Sequence, residues 1–215
     1  MCASGTKHSR LECHSPERYT GKVIAAFMLA AATAPTLPSA QAVIQAAGSR
    51  TARIRQYTFD VDAHIALLTF PWIRFRLTGH GQYTRGGAYF VHFDRVPWFG
   101  HGFETMPMGA LDPQTWPRQY SMSVAQSDGD RTVLRMHDLK KSPLTEAIAT
   151  FDQQLSVREL LWTYNYGGHV KLDITPQTVS GFAFPGNEDA EIVMPHYRAM
   201  AHAVFTNYHV VTDGP

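Results

Sequence analysis

Histidine and aspartate are the residue types here that could support metal or acid/base chemistry. The chain has 11 histidines. His92 and Asp94 lie two apart on a predicted strand, share a face, and could form a metal ligand set with His101. The chain holds no H-E-x-x-H or H-x-H spacing, however, so solvent-facing strand histidines explain the pattern better. We therefore predict no metal and no cofactor.

Motifs for nucleophilic catalysis and phosphate binding are missing as well. Ser180 lies in a turn context without a G-x-S-x-G elbow. The carboxylate pairs Asp60 with Asp62 and Asp128 with Asp130 lie on a wet strand face and in a turn, where solvation accounts for them. No Gly-rich loop precedes a helix. We predict that the protein is not an enzyme, and a hydrolase using the histidines remains the third hypothesis.

The N-terminal region resembles a secretory leader. A basic stretch precedes the apolar run VIAAFMLAAATA, Val23 to Ala34, which is too short to cross a bilayer. Ala40 and Ala42 supply an A-x-A site, so we predict cleavage after Ala42, with a signal peptide over 1–42 and a single domain over 43–215. A retained N-terminal helix that packs on the domain is the alternative.

Cysteine content and charge exclude several classes of function. Cys2 and Cys13 both lie within the predicted leader, so the predicted mature chain has no disulfide, thiolate nucleophile or cysteine metal site. The leader also holds four of the 19 Lys and Arg and two of the 18 Asp and Glu, which leaves a net charge of −1. This balance predicts no nucleic-acid partner. We expect an exported, soluble, periplasmic protein.

One short helix and a series of strands must position whatever site exists. Helix formers from Ala42 to about Arg55 predict a first helix that is broken or weakened at Gly48. Beyond it apolar residues alternate with polar ones, as in an antiparallel sheet with one apolar face. The predicted strands centre on Tyr57–Val61, Ile73–Leu77, Tyr89–Phe93, Tyr120–Val124 and 132–138, followed by 145–153, 157–166, 169–175 and roughly 197–211.

Two connections stand out between these strands. The connection between the second and third strands is expected to contain four glycines: Gly79, Gly81, Gly86 and Gly87. Residues 97–118 are rich in proline and glycine and predict a long ordered loop with one helical turn. Long loops of this kind are often functional.

The hairpin VRELLWTYNYGGHVKLDI, Val157 to Ile174, carries the largest apolar stripe. A three-residue loop of Tyr166, Gly167 and Gly168 would pair Trp162 with Leu172 and would collect the large apolar groups on one face. A two-residue Gly-Gly turn would separate them, so we predict the three-residue loop.

That apolar face is either protein core or the wall of a ligand cavity. About eight half-amphipathic strands offer more apolar surface than one short helix and one aromatic loop can cover, so the sheet closes on itself or leaves a cavity for an apolar ligand. The candidate ligand-binding residues are Trp162, Tyr164, Leu172, Phe75 and Tyr89. In the loop Pro97–Phe103, Trp98 and Phe99 would form a lid over the cavity, or would plug one end of the barrel.

The order of elements resembles the periplasmic Lol-type lipoprotein carrier superfamily and the related mycobacterial lipid-binding lipoproteins. The resemblance runs from the first helix through Tyr208 and rests on YTFDVDA, the hairpin TFDQQLSVRELLWTYNYGGHVKLDI, the step GFAFP and the last strand AVFTNYHV. It implies an incomplete, strongly curved antiparallel barrel that takes up lipid acyl groups on a concave face lidded by helices. The inward arginine of the lipoprotein carrier is transferred to neither Arg74 nor Arg76.

We therefore predict a mainly β protein, with one curved antiparallel sheet, one N-terminal helix and a lid loop. It would bind a lipid or the acyl chains of a lipidated protein as a carrier or chaperone, with transient contact at a membrane surface. An envelope protein-interaction module with a packed core and no small ligand is the second hypothesis.

Overall fold

The computed structural model describes residues 37–87, 89–97, 104–108 and 111–213, all within the compact unit Thr36–Pro215. They form helix α1 (Ala40–Thr51), a 3-10 helix (Pro113–Arg118) and eleven strands. The strands are β1 (Ile54–Leu67), β2 (Arg74–Thr84), β3 (Tyr89–Phe93), β4 (Thr105–Pro107), β5 (Tyr120–Ser127), β6 (Arg131–Asp138), β7 (Leu144–Asp152), β8 (Val157–Tyr164), β9 (His169–Val179), β10 (Phe182–Met194) and β11 (Tyr197–Thr212). None of the helices in the described ranges is both long enough and apolar enough to span a bilayer.

All eleven strands belong to one antiparallel sheet, in the order β4-β3-β2-β1-β11-β10-β9-β8-β7-β6-β5. Among the described residues β4 and β5 do not pair, so the sheet remains open. The sheet is strongly curved, because Tyr89 on β3 and Ile174 on β9 line the same cavity although four strands lie between them. In a flat sheet five strand spacings would separate them by about 24 Å. The predicted fold class is thus confirmed.

Helix α1 begins two residues earlier than its predicted start. The Ser39 side chain accepts a hydrogen bond from the backbone N–H of Ala42 at 3.1 Å and caps the helix. Val43 and Ile44 are buried, 5% and 4% exposed, because the apolar stripe faces the sheet. The helix continues through Gly48 to Thr51 without a break. Ser39 and the buried Ala40 precede Ala42, after which cleavage is predicted; the leader itself lies mostly outside the described residues.

The core consists of two apolar clusters on the concave face. Cluster 1 joins α1 and Trp116 of the 3-10 helix to strands β6 to β9. Cluster 2 joins β1, β2 and β3 to β10 and β11, and much of it is aromatic. The apolar face of the sheet is therefore covered in two ways. Helix α1 covers one half of it, and the curved sheet packs against itself over the other half.

The period-two pattern predicted the strands well except at two places. Every predicted strand is present within a few residues, but β10 and the short β4 were not predicted. Strand β10 was not predicted because its apolar alternation is interrupted by Pro185, Gly186 and Glu188. A register shift between Pro185 and Asn187 admits the proline into the strand.

Gly79 and Gly81 lie inside β2, which corrects their assignment to the connection between β2 and β3. Both occupy inward positions of the strand and are buried. A Cβ at Gly81 would overlap the ring of Phe59 on β1, and a Cβ at Gly79 would overlap the backbone of His92 on β3. The absence of side chains on β2 thus lets the Phe59 ring lie flat over this strand and lets β3 approach closely.

The predicted register of the β8–β9 hairpin is wrong by two residues. Trp162 pairs with Val170, and Leu160 pairs with Leu172. The turn spans Tyr164 to Gly167, with the Gly167 N–H donating to the Tyr164 carbonyl at 3.1 Å and Gly167 at φ +86°. The same side chains still share the concave face, because a shift of two residues preserves the alternation whereas a shift of one would reverse it.

A bulge in β11 sets the direction of its aromatic side chains. In a regular strand Phe205 and Tyr208, three residues apart, would point to opposite faces. Asn207 adopts a left-handed conformation at φ +52°, and the register with β1 shifts at this point. Its side chain donates to Asp60 Oδ2 at 2.7 Å. Both Phe205 and Tyr208 therefore pack in cluster 2.

Candidate ligand-binding site

A cavity of about 420 Å³ lies under the C-terminal half of α1, a size typical of small-molecule sites. Its wall has three parts: the end of α1 with the start of the 3-10 helix, the β7–β8 turn, and the inward faces of strands from both core clusters. The main lining residues are Ala47, Gly48, Arg50, Thr51, Ile54, Tyr57, Tyr83, Tyr89, Leu111, Asp112, Gln114, Leu155, Val157, Ile174, Phe182, Phe184 and Glu188.

Stacked aromatic rings form one side of the cavity. Tyr57 stacks on Tyr83 with ring centroids 4.8 Å apart and meets Phe184 edge-on at 4.9 Å. Phe184 in turn stacks on Tyr208 at 4.7 Å. The Tyr208 hydroxyl donates to the Pro185 carbonyl at 2.9 Å, which holds this ring against β10. The wall is apolar and stiff, with few rotatable groups to be ordered by a ligand.

Glu188 lines the cavity as well and is a deeply buried charged residue, only 7% exposed. The strand register places it opposite Ile174 on β9 and Ala203 on β11, residues that belong to clusters 1 and 2 respectively. Its carboxyl group thus enters the cavity at the seam between the two clusters. Within the part of the chain that the structure describes, the Oε1 atom has no hydrogen-bond partner.

Burial controls the ionisation of the groups around the cavity. It raises the pKa of Glu188 to about 7, because the charged form loses its hydration. Burial likewise raises the pKa of Tyr57, Tyr89 and Tyr208 far above the usual range, and the nearby Glu188 carboxylate adds to the rise at Tyr89 and Tyr208. The pKa of Asp112 is raised by burial as well. The cavity therefore favours neutral groups.

The predicted ligand-binding residues lie at different places on the concave face. Tyr89 lines the cavity. Leu172 is 8% exposed and packs in cluster 1, and Trp162 lies against the same cluster. Tyr164 stacks on Tyr166 at the hairpin turn, with ring centroids 5.3 Å apart.

Phe75 packs at the edge of cluster 2 and also lines a separate, open depression. The predicted lid residues Trp98 and Phe99 lie outside the described residues. The role of all seven residues in binding a ligand stays a prediction.

The residues considered for chemistry lie mostly on the convex face in pairs. His80 contacts Asp60 at 2.6 Å, and the pKa of His80 is raised by this hydrogen bond. His92 contacts the Thr105 hydroxyl at 3.1 Å. Arg76 forms an ion pair with Asp62 on the exposed face, so it does not point into the cavity. In the described ranges no group of three His, Cys, Asp or Glu side chains is arranged to hold a metal ion; His101 is outside them.

Sequence reasoning missed the most unusual residue of the site. Glu188 lies on a strand that was not predicted, so nothing indicated which way its side chain points. The usable signal was the alternation of Phe184, Gly186, Glu188, Ala190 and Ile192, an inward series with a glycine and a glutamate among apolar residues.

Comparison with solved structures identifies the class of fold, which is LolA-like. A LolA superfamily protein from Nitrosomonas europaea superposes with a TM-score of 0.59 at 10% identity, covering 83% of this chain and 96% of that one. An outer membrane lipoprotein-sorting domain from Vibrio parahaemolyticus gives 0.58 at 9% identity, with 80% and 93% covered. A DUF1329 family protein from Desulfovibrio piger gives 0.58 at 9% identity, with 79% and 92% covered.

These similarities establish the fold and confirm the resemblance seen in the sequence. No protein-family model and no curated protein matches the chain.

Proposed function

We propose that this protein is an exported, periplasmic carrier or chaperone that binds a lipid, or the acyl chains of a lipidated protein, in the cavity under α1. The observation that carries the proposal is the cavity of about 420 Å³ with its aromatic and aliphatic wall. The LolA-like fold supports it, because two of the similar structures are a LolA superfamily protein and a lipoprotein-sorting domain. The protein would act by binding and release, without catalysis.

The proposed acyl site combines the cavity with the aromatic residues around it. Tyr89 would contact the acyl chain of the ligand directly. The apolar surface would be extended along the concave face by Trp162, Tyr164, Leu172 and Phe75. Trp98 and Phe99 remain the proposed lid.

The β1–β2 connection is the proposed site of transient contact with a membrane surface. Phe70 and Trp72 are 42% and 79% exposed there, with ring centroids 5.8 Å apart. Exposed aromatic rings of this kind are favoured at a membrane interface.

Native mass spectrometry tests the proposal directly. The protein purified from a periplasmic extract without detergent should carry species of lipid mass that leave on activation. A bare mass that persists after incubation with envelope lipids would instead support the interaction module with a packed core.

Filling the cavity should remove the lipid without unfolding the protein. Ala47 and Ala46 are neighbours on α1, but Ala47 lines the cavity and Ala46 is exposed. We expect Ala47→Phe to lower the loaded fraction several-fold, and Ala46→Phe to leave it unchanged. The two variants share the same small loss of helix propensity, a few tenths of a kcal/mol. Equal loading of both would place the lipid elsewhere.

Trp162→Ala separates ligand binding from core packing at a predicted site residue. If Trp162 contacts the ligand, Trp162→Ala should lower the lipid-loaded fraction by more than the fall in its melting temperature can account for. Loading and thermal melting are measured on the same preparation. Unchanged loading with a stability loss of about 3–5 kcal/mol would show that Trp162 is core and that its assignment to the site is wrong.

A further inference from the structure

Glu188 is unusual for a residue on the concave face of this sheet. The next residue, Asp189, points to the opposite face and contacts His202 at 2.7 Å. The Oε1 atom of Glu188 has no such partner within the described ranges, although the residue is only 7% exposed and lies between two apolar clusters. A buried polar group without a partner is costly, and native structures rarely keep one without a function.

The cavity supplies the space for a partner, since Glu188 lines it. Of the described residues along this wall, Arg50 is the one cation, and it lies exposed near the end of α1. A second carboxyl group, Asp112, also lines the cavity. Among the described residues, the wall thus offers no buried positive charge to the carboxyl group, and a ligand in the cavity would supply the partner that Oε1 lacks.

A neutral partner suits this environment better than a cation. Bringing an ammonium group to Glu188 would require the desolvation of two ions in an apolar cavity. A neutral carboxyl group, in contrast, has an O–H donor that needs only an acceptor. The acceptor that accompanies an acyl chain is the carbonyl oxygen of its ester or amide linkage.

We propose that the neutral carboxyl group of Glu188 donates a hydrogen bond to the carbonyl oxygen of the ester or amide that attaches an acyl chain to the rest of the ligand. This inference rests on the proposed function and specifies how the site recognises its ligand. The chain would lie along the aromatic wall, with its linkage at the seam between the clusters. Acyl compounds would then be preferred to alkyl compounds of the same length.

Other titratable groups that face Glu188 come from several elements, and their contribution to the pH dependence must be distinguished from that of Glu188. Tyr57 on β1, Tyr89 on β3 and Tyr208 on β11 stay neutral below pH 9, because burial raises the pKa of each. Tyr83 on β2 behaves in the same way. Asp112 is the remaining carboxyl group, and Asp112→Asn removes its titration.

The test compares an ester with its ether. The probes are 1,2-dioctanoylglycerol and 1,2-di-O-octylglycerol, which share chain length and headgroup but differ in the carbonyl groups. At pH 6 the wild-type protein should bind the ester about 5-fold more tightly by isothermal titration calorimetry, the value of one net hydrogen bond. Glu188→Gln should keep the preference through its amide N–H, and Glu188→Leu should lose it.

The pH dependence gives a second readout from the same titrations. Between pH 6 and pH 8 the ester preference of the wild type should disappear as Glu188 ionises, and the ether should change less. Glu188→Gln should hold its preference at both values, because an amide does not titrate. In Asp112→Asn the ester preference should still be lost between pH 6 and pH 8, which would assign the loss to Glu188.

The outcomes separate this inference from the proposed function. Equal affinities for ester and ether in the wild type, with both lost in Ala47→Phe, would overturn the role of Glu188 and leave the lipid cavity in place. An ester preference that survives in Glu188→Leu would also overturn it. Failure of both probes to bind would overturn the carrier proposal together with this inference.

Discussion

Replacing Trp116 by alanine should lower the free energy of unfolding by about 3–5 kcal/mol, the usual cost of truncating a buried aromatic residue. Trp116 is 1% exposed and belongs to the 3-10 helix that packs beside α1. Its ring meets Phe151 on β7 edge-on, with centroids 5.9 Å apart. The indole thus connects three elements that are far apart in the chain, and a cavity in its place would be hard to close.

Chemical denaturation monitored by far-ultraviolet circular dichroism measures this loss. The matched control is Trp72→Ala, since Trp72 is 79% exposed and should change the stability by less than about 0.5 kcal/mol. A loss below about 1 kcal/mol in Trp116→Ala would contradict the prediction, and would mean that α1 and the sheet hold together without the indole.

The strands with a regular apolar alternation could be predicted from sequence, and the reasons are local. Tyr57, Phe59 and Val61 alternate with polar residues, and a residue's neighbours two positions away determine which face is apolar. The helix followed in the same way from Val43 and Ile44. The covering of the sheet by α1 could be expected from the family resemblance but not from the pattern itself.

The features that define the site depend on contacts between residues distant in the chain. The bulge at Asn207 turns Tyr208 inward, yet Asn207 carries no local signal that distinguishes it from an exposed strand residue. Pairing between β1 and β11 joins the two ends of the domain, and no periodicity reveals it. For the same reason the register of the β8–β9 hairpin was predicted two residues out, because two registers present the same face.

Glu188 shows this limit most clearly. Glutamate is almost always exposed, so the polar stretch that contains Glu188, between Pro185 and Ile192, indicates a loop rather than a buried strand. Its burial follows from the curvature that brings β3 over β10, four strand positions away in the sheet. Without that curvature Tyr89 and Glu188 would be about 19 Å apart, four strand spacings in a flat sheet.

Replacing Glu188 by glutamine should stabilise the ligand-free protein by about 3 kcal/mol at pH 8 and have little effect at pH 4. Burial raises the pKa of Glu188 from about 4.5 in the unfolded chain to about 7 in the folded protein. Below the lower value both states carry the proton, and the stability is fully present. Between the two values the unfolded chain ionises first, so the stability of the wild type falls as the pH rises through 7.

Glutamine has nearly the same shape but never ionises, so the variant should escape this fall. Urea denaturation at pH 4, 6 and 8 measures the difference, with Asp189→Asn on the exposed face as the control whose effect should stay small. A difference between Glu188→Gln and the wild type that does not change with pH would contradict the prediction. If this difference does change with pH, the destabilisation of the wild type above pH 7 is the cost of keeping an unpartnered carboxyl group in an apolar cavity. A ligand carbonyl that accepts a hydrogen bond from the neutral carboxyl group would offset this destabilisation.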